Sequence, residues 1–243
     1  MEFDFKGKTA LVTGASNGIG RDIAIKLSQC GVNVIAIGRS LNDLDSLKEK
    51  TNCKIIQLDL SDWKKTREAV KDIDNVDFLI NNAGQTLRKS LLNTSYEDLN
   101  RILDINFKAC MNLTQIFVRK MVESGKPGSI VNVSSLCGLV GQMDHSVYCA
   151  SKGAMDAFTR AVAMEYGKYN IRINSVNPTV ILSSMGQDFC KDNEKFKAMI
   201  EKTPIKRLGK PEEVTYPVLF LLSDMASLIT GTCLTIDGGY SIN

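Results

Sequence analysis

Residues 9–20 read TALVTGASNGIG. The run 9–13 is continuously apolar or β-branched and reads as a buried strand. Ile19 to Cys30 then carries helical spacing, with Gly31 at its C-cap. Between the two stands a turn with Gly14, Gly18 and Gly20. Gly14 permits the tight turn. Gly18 and Gly20 let backbone and helix come close to a pyrophosphate, and the helix N-terminus supplies free N–H groups and partial positive charge. A lone glycine motif is weak, but the strand–turn–helix context that it requires is present here. The plainer alternative is a glycine-rich turn with no ligand.

Working outward, the same rhythm repeats. VNVIAI (32–37), KIIQL (54–58), VDFLI (76–80), GSIVNV (128–133), IRINSV (171–176) and TCLTI (232–236) are short, apolar or β-branched runs. None alternates strictly, as expected of strands covered on both faces. Helical patterns separate them, beginning with a polar helix from about Leu41. This predicts βαβ units in a single α/β domain over 1–243: a Rossmann-type doubly wound parallel sheet with helices on both faces. Thr94-Ser95-Tyr96-Glu97 fits a capping box that opens a long helix. Its apolar positions, from Leu99 and Ile102 through Phe107 and Leu113 to Met121, wrap more than one face. Core packing accounts for one face, and the remainder points to a subunit contact. Residues 182–210 follow a strand's C-terminal end with their own charged helical pattern and are expected to form a substrate lid. The alternative is a solvated surface helix.

Composition narrows the classes. Of 243 residues, 44% are hydrophobic and 23% charged, close to a typical globular domain. The net charge of +3 is spread along the chain, so no basic patch suggests nucleic acid or a membrane surface. No stretch approaches the ~18 apolar residues of a membrane span, and the first residues do not form a signal peptide. Seven cysteines lie scattered without CxxC spacing, which points to free thiols in a reducing, cytoplasmic setting. With His145 as the single histidine, no metal site is expected.

SVYCASKGA (146–154) places Tyr148 four residues before Lys152, on one helix face. A phenol with a pKa near ~10 is a poor acid–base catalyst at neutral pH. A fixed ammonium nearby favours the phenolate and lowers that value. A shift from ~10 to ~7 needs about 4 kcal/mol of differential stabilisation, too much for an exposed pair, so the site is expected to be partly desolvated.

These features together resemble the short-chain dehydrogenase/reductase family. The turn has that family's Gly-x-x-x-Gly-x-Gly form. NNAG (81–84) follows the fourth strand, Asn106 sits on the long helix, and YCASK (148–152) fits Tyr-x-x-x-Lys with Ser135 thirteen residues ahead. NPTVILS (177–183) matches the family's Pro-Gly-x-x-x-Thr segment, with Thr179 and Ser183 in the glycine and threonine places. The resemblance implies a catalytic set of Asn106, Ser135, Tyr148 and Lys152. Tyr148 is the implied proton donor, Ser135 a second hydroxyl on the same substrate oxygen, Lys152 the tuning cation and ribose anchor, and Asn106 the holder of a water that links Lys152 to solvent. It places a nicotinamide dinucleotide against Gly14, Ser16, Asn17, Gly18, Ile19 and Gly20. Asp59 and Leu60 then meet adenine, Asn82, Ala83 and Gly84 the adenosine ribose, and Ile181 and Ser183 the carboxamide. At the end of the second strand stand Gly38, Arg39 and Ser40, with no acid to hold a ribose 2′-hydroxyl. Arg39 offers a planar, permanently charged fork suited to a 2′-phosphate, so the expected cofactor is NADP(H).

MEFDFKGKTALVTG, LDSL, DLSDW, PGSIVNVSS, HSVYCASKGA, IRINSVNPTV, SSMGQ and FLLSD further resemble one branch of the family, the L-xylulose/dicarbonyl reductases, also called tetrameric carbonyl reductases. That likeness implies a homotetramer that reduces L-xylulose to xylitol, and α-dicarbonyls such as diacetyl, with NADPH. The implied pocket contains Leu136, Cys137, Val140, Met143, His145 and the region of Cys190, with no charged clamp; Ser135, Cys137 and His145 are the expected substrate contacts. Two alternatives remain: a 3-oxoacyl or steroid ketone reductase on this fold, and a non-catalytic NADP-binding scaffold.

Overall fold

The run 9–13 does form a central buried strand, β1 (Thr9–Thr13). The computed structural model describes residues 3–74, 76–183 and 193–242. Beside β1 lie β2 (Asn33–Gly38), β3 (Lys54–Gln57), β4 (Phe78–Asn81), β5 (Gly128–Val133), β6 (Ile171–Pro178) and β7 (Cys233–Ile236). All neighbours pair in parallel, in the order β3-β2-β1-β4-β5-β6-β7. The chain steps outward from β1 to β3, returns to β4 and steps outward the other way. Crossovers therefore leave β1 and β4 in opposite directions, and a crevice opens outside their C-terminal ends, where ligands of open α/β sheets bind.

The α-helices among the described residues are α1 (Gly18–Gln29), α2 (Leu41–Thr51), α3 (Trp63–Val70), α4 (Tyr96–Leu103), α5 (Ala109–Ser124), α6 (Ser146–Tyr166), α7 (Asn193–Lys202) and α8 (Pro211–Leu222). They cover both sheet faces, because successive strand side chains point opposite ways. Ala10 and Val12 join Ile23, Leu27, Leu44, Leu47 and Val218 in one core, while Leu11 joins Leu113, Phe117, Met121 and Val162 in the other. Full burial of each large apolar side chain contributes about 1.5–3 kcal/mol, so both faces hold the central strand in place.

Three local expectations shift. The fourth strand starts at Phe78 rather than Val76, because Thr9 N donates to the Asp77 carboxylate at 2.9 Å, beside Lys8 Nζ at 3.1 Å, rather than to a backbone carbonyl of this strand. The capping box moves one residue along: Ser95 caps α4 with Asp98 as its partner, while the Thr94 hydroxyl donates to Ser90 O at 2.9 Å. The long helix is interrupted between α4 and α5 by a π turn, Asp104–Lys108, a form that recurs at functional sites. Asn106 sits in that turn.

The strand ends are cross-linked beneath the crevice. Asn81 Nδ2 donates to Thr114 Oγ1 at 3.1 Å and Asn132 Oδ1 at 2.9 Å, and Asn132 Nδ2 donates to Thr159 Oγ1 at 2.8 Å. All four residues are buried. This ladder ties β4 and β5 to α5 and α6, so the loops that leave those strands start from a rigid base.

Candidate active site

A cleft of about 930 Å³ opens at the C-terminal ends of the strands. Its first wall is the glycine turn, locked to the NNAG segment. The Thr13 hydroxyl accepts from Asn82 N at 2.9 Å and Ala83 N at 3.0 Å, and Asn82 Nδ2 donates to Thr13 O at 2.9 Å and Gly14 O at 3.2 Å. Gly14 has φ +63°, and a Cβ there would stand 2.8 Å from Asn82 Nδ2. A Cβ on Gly20 would stand 2.4 Å from Gly14 O. Both positions therefore require glycine. Gly20 closes the turn from behind, while Gly14, Ser16, Asn17, Gly18 and Ile19 line the cleft.

Two observations show that a dinucleotide fits this wall. Ser16 Oγ is buried with no hydrogen-bond partner among the described residues, an unusual state for a hydroxyl. A Cβ on Gly38 would lie 2.1 Å from that oxygen, so the turn packs hard against the end of β2. Arg39 and Ser40 follow and also line the cleft. With the Gln85 amide turned so that its oxygen faces Arg39, that oxygen accepts from Nη1 at 2.8 Å and Nη2 at 3.2 Å. The guanidinium thus reaches across the cleft mouth. Leu60 lines the cleft as expected, but Asp59 does not. Its carboxylate accepts from Ser61 N at 3.0 Å and Ser61 Oγ at 2.8 Å, bonds that hold its pKa below the ordinary value.

The second wall holds the candidate acid–base residues. Ser135 follows β5, and Tyr148 and Lys152 stand one turn apart on α6. Ser135 and Tyr148 line the same wall of the cleft, and Ser135 Oγ accepts from Cys137 N at 3.2 Å. Lys152 is 3% exposed; its Nζ donates to Val133 O at 2.9 Å and lies 6.0 Å from the centre of the Tyr148 ring. Tyr148 is half-buried as a residue, with its hydroxyl enclosed by protein. That enclosure corrects the expected direction of its pKa. Burial pushes the phenol up to about 12, only partly offset by the Ser135 hydroxyl, and pushes Lys152 down to about 8. Desolvation of the charged form outweighs the neighbouring ammonium, which bonds to a backbone carbonyl instead of the phenol oxygen.

Asn106 lies beside this wall. It is fully buried behind the cleft. Its Oδ1 accepts from Gln85 N at 2.8 Å, and its Nδ2 donates to Gln85 O at 3.0 Å and Ser151 Oγ at 3.0 Å. Those bonds pin the segment after NNAG to α6. Asn106 also abuts the reacting group: a Cβ on Gly84 would stand 3.3 Å from Asn106 Oδ1 and 3.6 Å from Lys152 Nζ.

Beyond Tyr148 the cleft is lined by Leu136, Cys137, Val140, Met143 and His145, as expected. Cys137 Sγ donates to Gln142 Oε1 at 2.9 Å, and burial pushes its thiol up to about 11. His145 Nδ1 lies 2.7 Å from Met143 O, and its ring meets the Tyr148 ring edge-on at 6.3 Å. Ile181 and Ser183 line the cleft, as do Met199 and Lys202 of α7, so the described part of 182–210 borders the site. Cys190 lies outside the described residues. Arg88 and Lys202 add cations to a wall expected to be uncharged. Sequence reasoning also missed Gln85 and Thr13, although they flank NNAG and the glycine turn directly. Among the described residues no group of three or more His, Cys, Asp or Glu is placed to hold a metal, and no helix is long and apolar enough to cross a membrane.

Comparison with known proteins agrees with this geometry. A family profile described as enoyl-(acyl carrier protein) reductase matches residues 14–241. L-xylulose reductase of Bos taurus is 41% identical, with 99% of each chain covered. Carbonyl reductase [NADPH] 2 of Sus scrofa is 39% identical, again with 99% of each covered. A solved structure of a putative NAD(P)-dependent gluconate 5-dehydrogenase from Beutenbergia cavernae, with bound NADP at low occupancy, superposes with a TM-score of 0.95 at 29% identity over the whole of both chains. By its glycine turn, its Ser135, Tyr148 and Lys152 constellation and these full-length matches, the chain belongs to the short-chain dehydrogenase/reductase family.

Proposed function

We propose that this enzyme is an NADP(H)-dependent carbonyl reductase whose substrates are L-xylulose and small α-dicarbonyls. The carrying observation is the placement of Ser135, Tyr148 and the buried Lys152 together on one wall of the cleft. The similarity to reductases of L-xylulose and of carbonyl compounds supports the substrate class.

When bound, NADPH supplies the hydride that attacks the carbonyl carbon. The chain's own residues do the rest. Ser16 and the free N–H groups at the α1 N-terminus take the pyrophosphate, and Arg39 takes the 2′-phosphate. Ser135 donates to the substrate oxygen, fixing its orientation and stabilising the charge that builds there. Tyr148 transfers its proton to that oxygen, leaving a phenolate and an alcohol. A phenol raised to about 12 is fully protonated at neutral pH, the state that reduction requires. Lys152 then stabilises the phenolate as a buried cation on the same helix face. Asn106 holds the Gln85 loop and α6 together, and Ser183, Met199 and Lys202 border the substrate cleft.

One observation favours a second reading: the matching profile is named for an acyl-carrier substrate, and Arg88 and Lys202 line the cleft. A panel of diacetyl, L-xylulose, a 3-oxoacyl thioester and a steroid ketone, each mixed with NADPH and followed by cofactor absorbance, separates the two. The expected result is turnover of diacetyl and L-xylulose. Turnover of the thioester alone overturns the sugar and dicarbonyl assignment, and no turnover at all sinks the catalytic one. We further assign a cytoplasmic homotetramer. Met111 on α5 and Met164 on α6 are exposed, Met164 at 90%, which suits helix faces that meet another copy. Sedimentation equilibrium is expected to give four times the chain mass, and a concentration-independent monomer would refute it.

A further inference from the structure

Asp156 lies one turn beyond Lys152 on α6 and is 1% exposed. A carboxylate so buried is rare unless it is paired. Its Oδ1 accepts from Ser175 Oγ at 3.1 Å and its Oδ2 from Asn177 Nδ2 at 2.7 Å, both on β6. Asn177 Nδ2 also donates to Ser135 O at 2.9 Å, and Ser134 Oγ donates to Lys152 O at 3.3 Å. The carboxylate also crowds the turn after Ser135: a Cβ on Gly138 would stand 2.4 Å from Oδ2. One buried acid therefore bonds through one residue to the backbone that carries Ser135 and stands on the helix that carries Lys152.

Among the described residues, the titratable groups facing the Lys152 ammonium are Cys110 from α5, Cys137 from the turn after β5, and Tyr148 and Asp156 from α6, and of these only Asp156 carries a formal charge near pH 7. Both thiols are pushed up by burial, to about 12 and about 11, and are neutral near pH 7. Toward Asp156 itself, β6 presents only neutral groups, and Lys152 is the facing charge.

We propose that Asp156 is a positioning residue of this active site: through Asn177 it fixes the loop that carries Ser135, and one turn beyond Lys152 on the same helix it serves as the counter-charge to the Lys152 ammonium. The inference rests on the catalytic assignment above and adds a residue behind the reacting groups. Without the acid, a buried lysine already lowered to about 8 falls further, and the phenolate left after proton transfer loses its cation in the neutral range.

The test is Asp156→Asn, which keeps the shape and most of the bonds while removing the charge. In the NADPH-dependent reduction of diacetyl, kcat is expected to fall about tenfold, KM for NADPH to stay within about twofold, and the alkaline limb of the pH–kcat profile to move down by about one unit. A loss of activity with the limb unmoved reduces Asp156 to a packing residue and overturns the proposal. A second measurement needs neither turnover nor the variant. In the wild-type protein, the Asp156 carboxyl 13C resonance is expected to show an inflection at the pH where the Lys152 side-chain 15N signal loses its proton. A flat trace at that pH overturns the coupling even if the variant does not fold. Should the wild type reduce no carbonyl, the functional assignment fails while the NMR coupling still decides this one.

Discussion

Tyr148→Phe is expected to lower kcat/KM for carbonyl reduction by about 10³-fold or more, within the ~10²–10⁴ range of general acid catalysis. Affinity for NADPH, followed by cofactor fluorescence, should stay within about twofold of the wild type. The change removes one oxygen from a ring whose packing is otherwise kept. The ring's edge contact with His145 survives, and Lys152 remains anchored to Val133 O. What is lost is the proton that must reach the substrate oxygen. Ser135 alone still stabilises developing charge but cannot complete the transfer to an alcohol. Activity above a tenth of the wild type would falsify the donor role of Tyr148. The pH dependence follows the same logic. With the phenol raised to about 12, reduction is limited on the alkaline side by Lys152, whose ammonium is present below about pH 8 and lost above it. Reduction therefore declines as pH rises through that value.

Arg39→Asp is expected to reverse cofactor preference, changing the NADPH/NADH ratio of kcat/KM by about 10²–10³-fold. Losing charge-assisted hydrogen bonds costs about 1.5–3 kcal/mol, each 1.4 kcal/mol is tenfold, and the new carboxylate adds repulsion of the 2′-phosphate. The same carboxylate can accept from a ribose 2′-hydroxyl, so NADH should gain while NADPH loses. Arg39 is free to make this contact because its guanidinium binds a neutral amide, Gln85, rather than a carboxylate. An unchanged ratio in paired initial-rate assays shows that another cleft cation, such as Arg88, selects the cofactor.

Much of this molecule is legible in one dimension because its determinants are local. The continuous apolar runs announce strands buried on both sides, and each appears in the sheet within two residues of its expected start. The glycine turn is legible because a Cβ at Gly14 would press against Asn82 Nδ2 and one at Gly20 against Gly14 O. Tyr148 and Lys152 share a helix face by simple periodicity. The capping box slipped by one residue because Thr94 and Ser95 are both capable caps, and only the preceding turn, which engages the Thr94 hydroxyl, decides between them.

The sequence alone determined the parallel α/β fold, the place of the phosphate-binding turn and the residues able to serve as acid, cation and hydroxyl. Those properties follow from side-chain chemistry, helical and strand periods, and glycine sterics. Only the tertiary structure decided their electrostatics and partners. It turned Asp59 toward Ser61, engaged Asn106 with Gln85 and Ser151, and set Asp156 against β6 beneath the Ser135 loop. It also reversed the expected shift of Tyr148. A pKa depends on everything within several ångströms of the titrating atom, most of it contributed by residues far away in the chain, and burial is a property that no spacing of letters encodes.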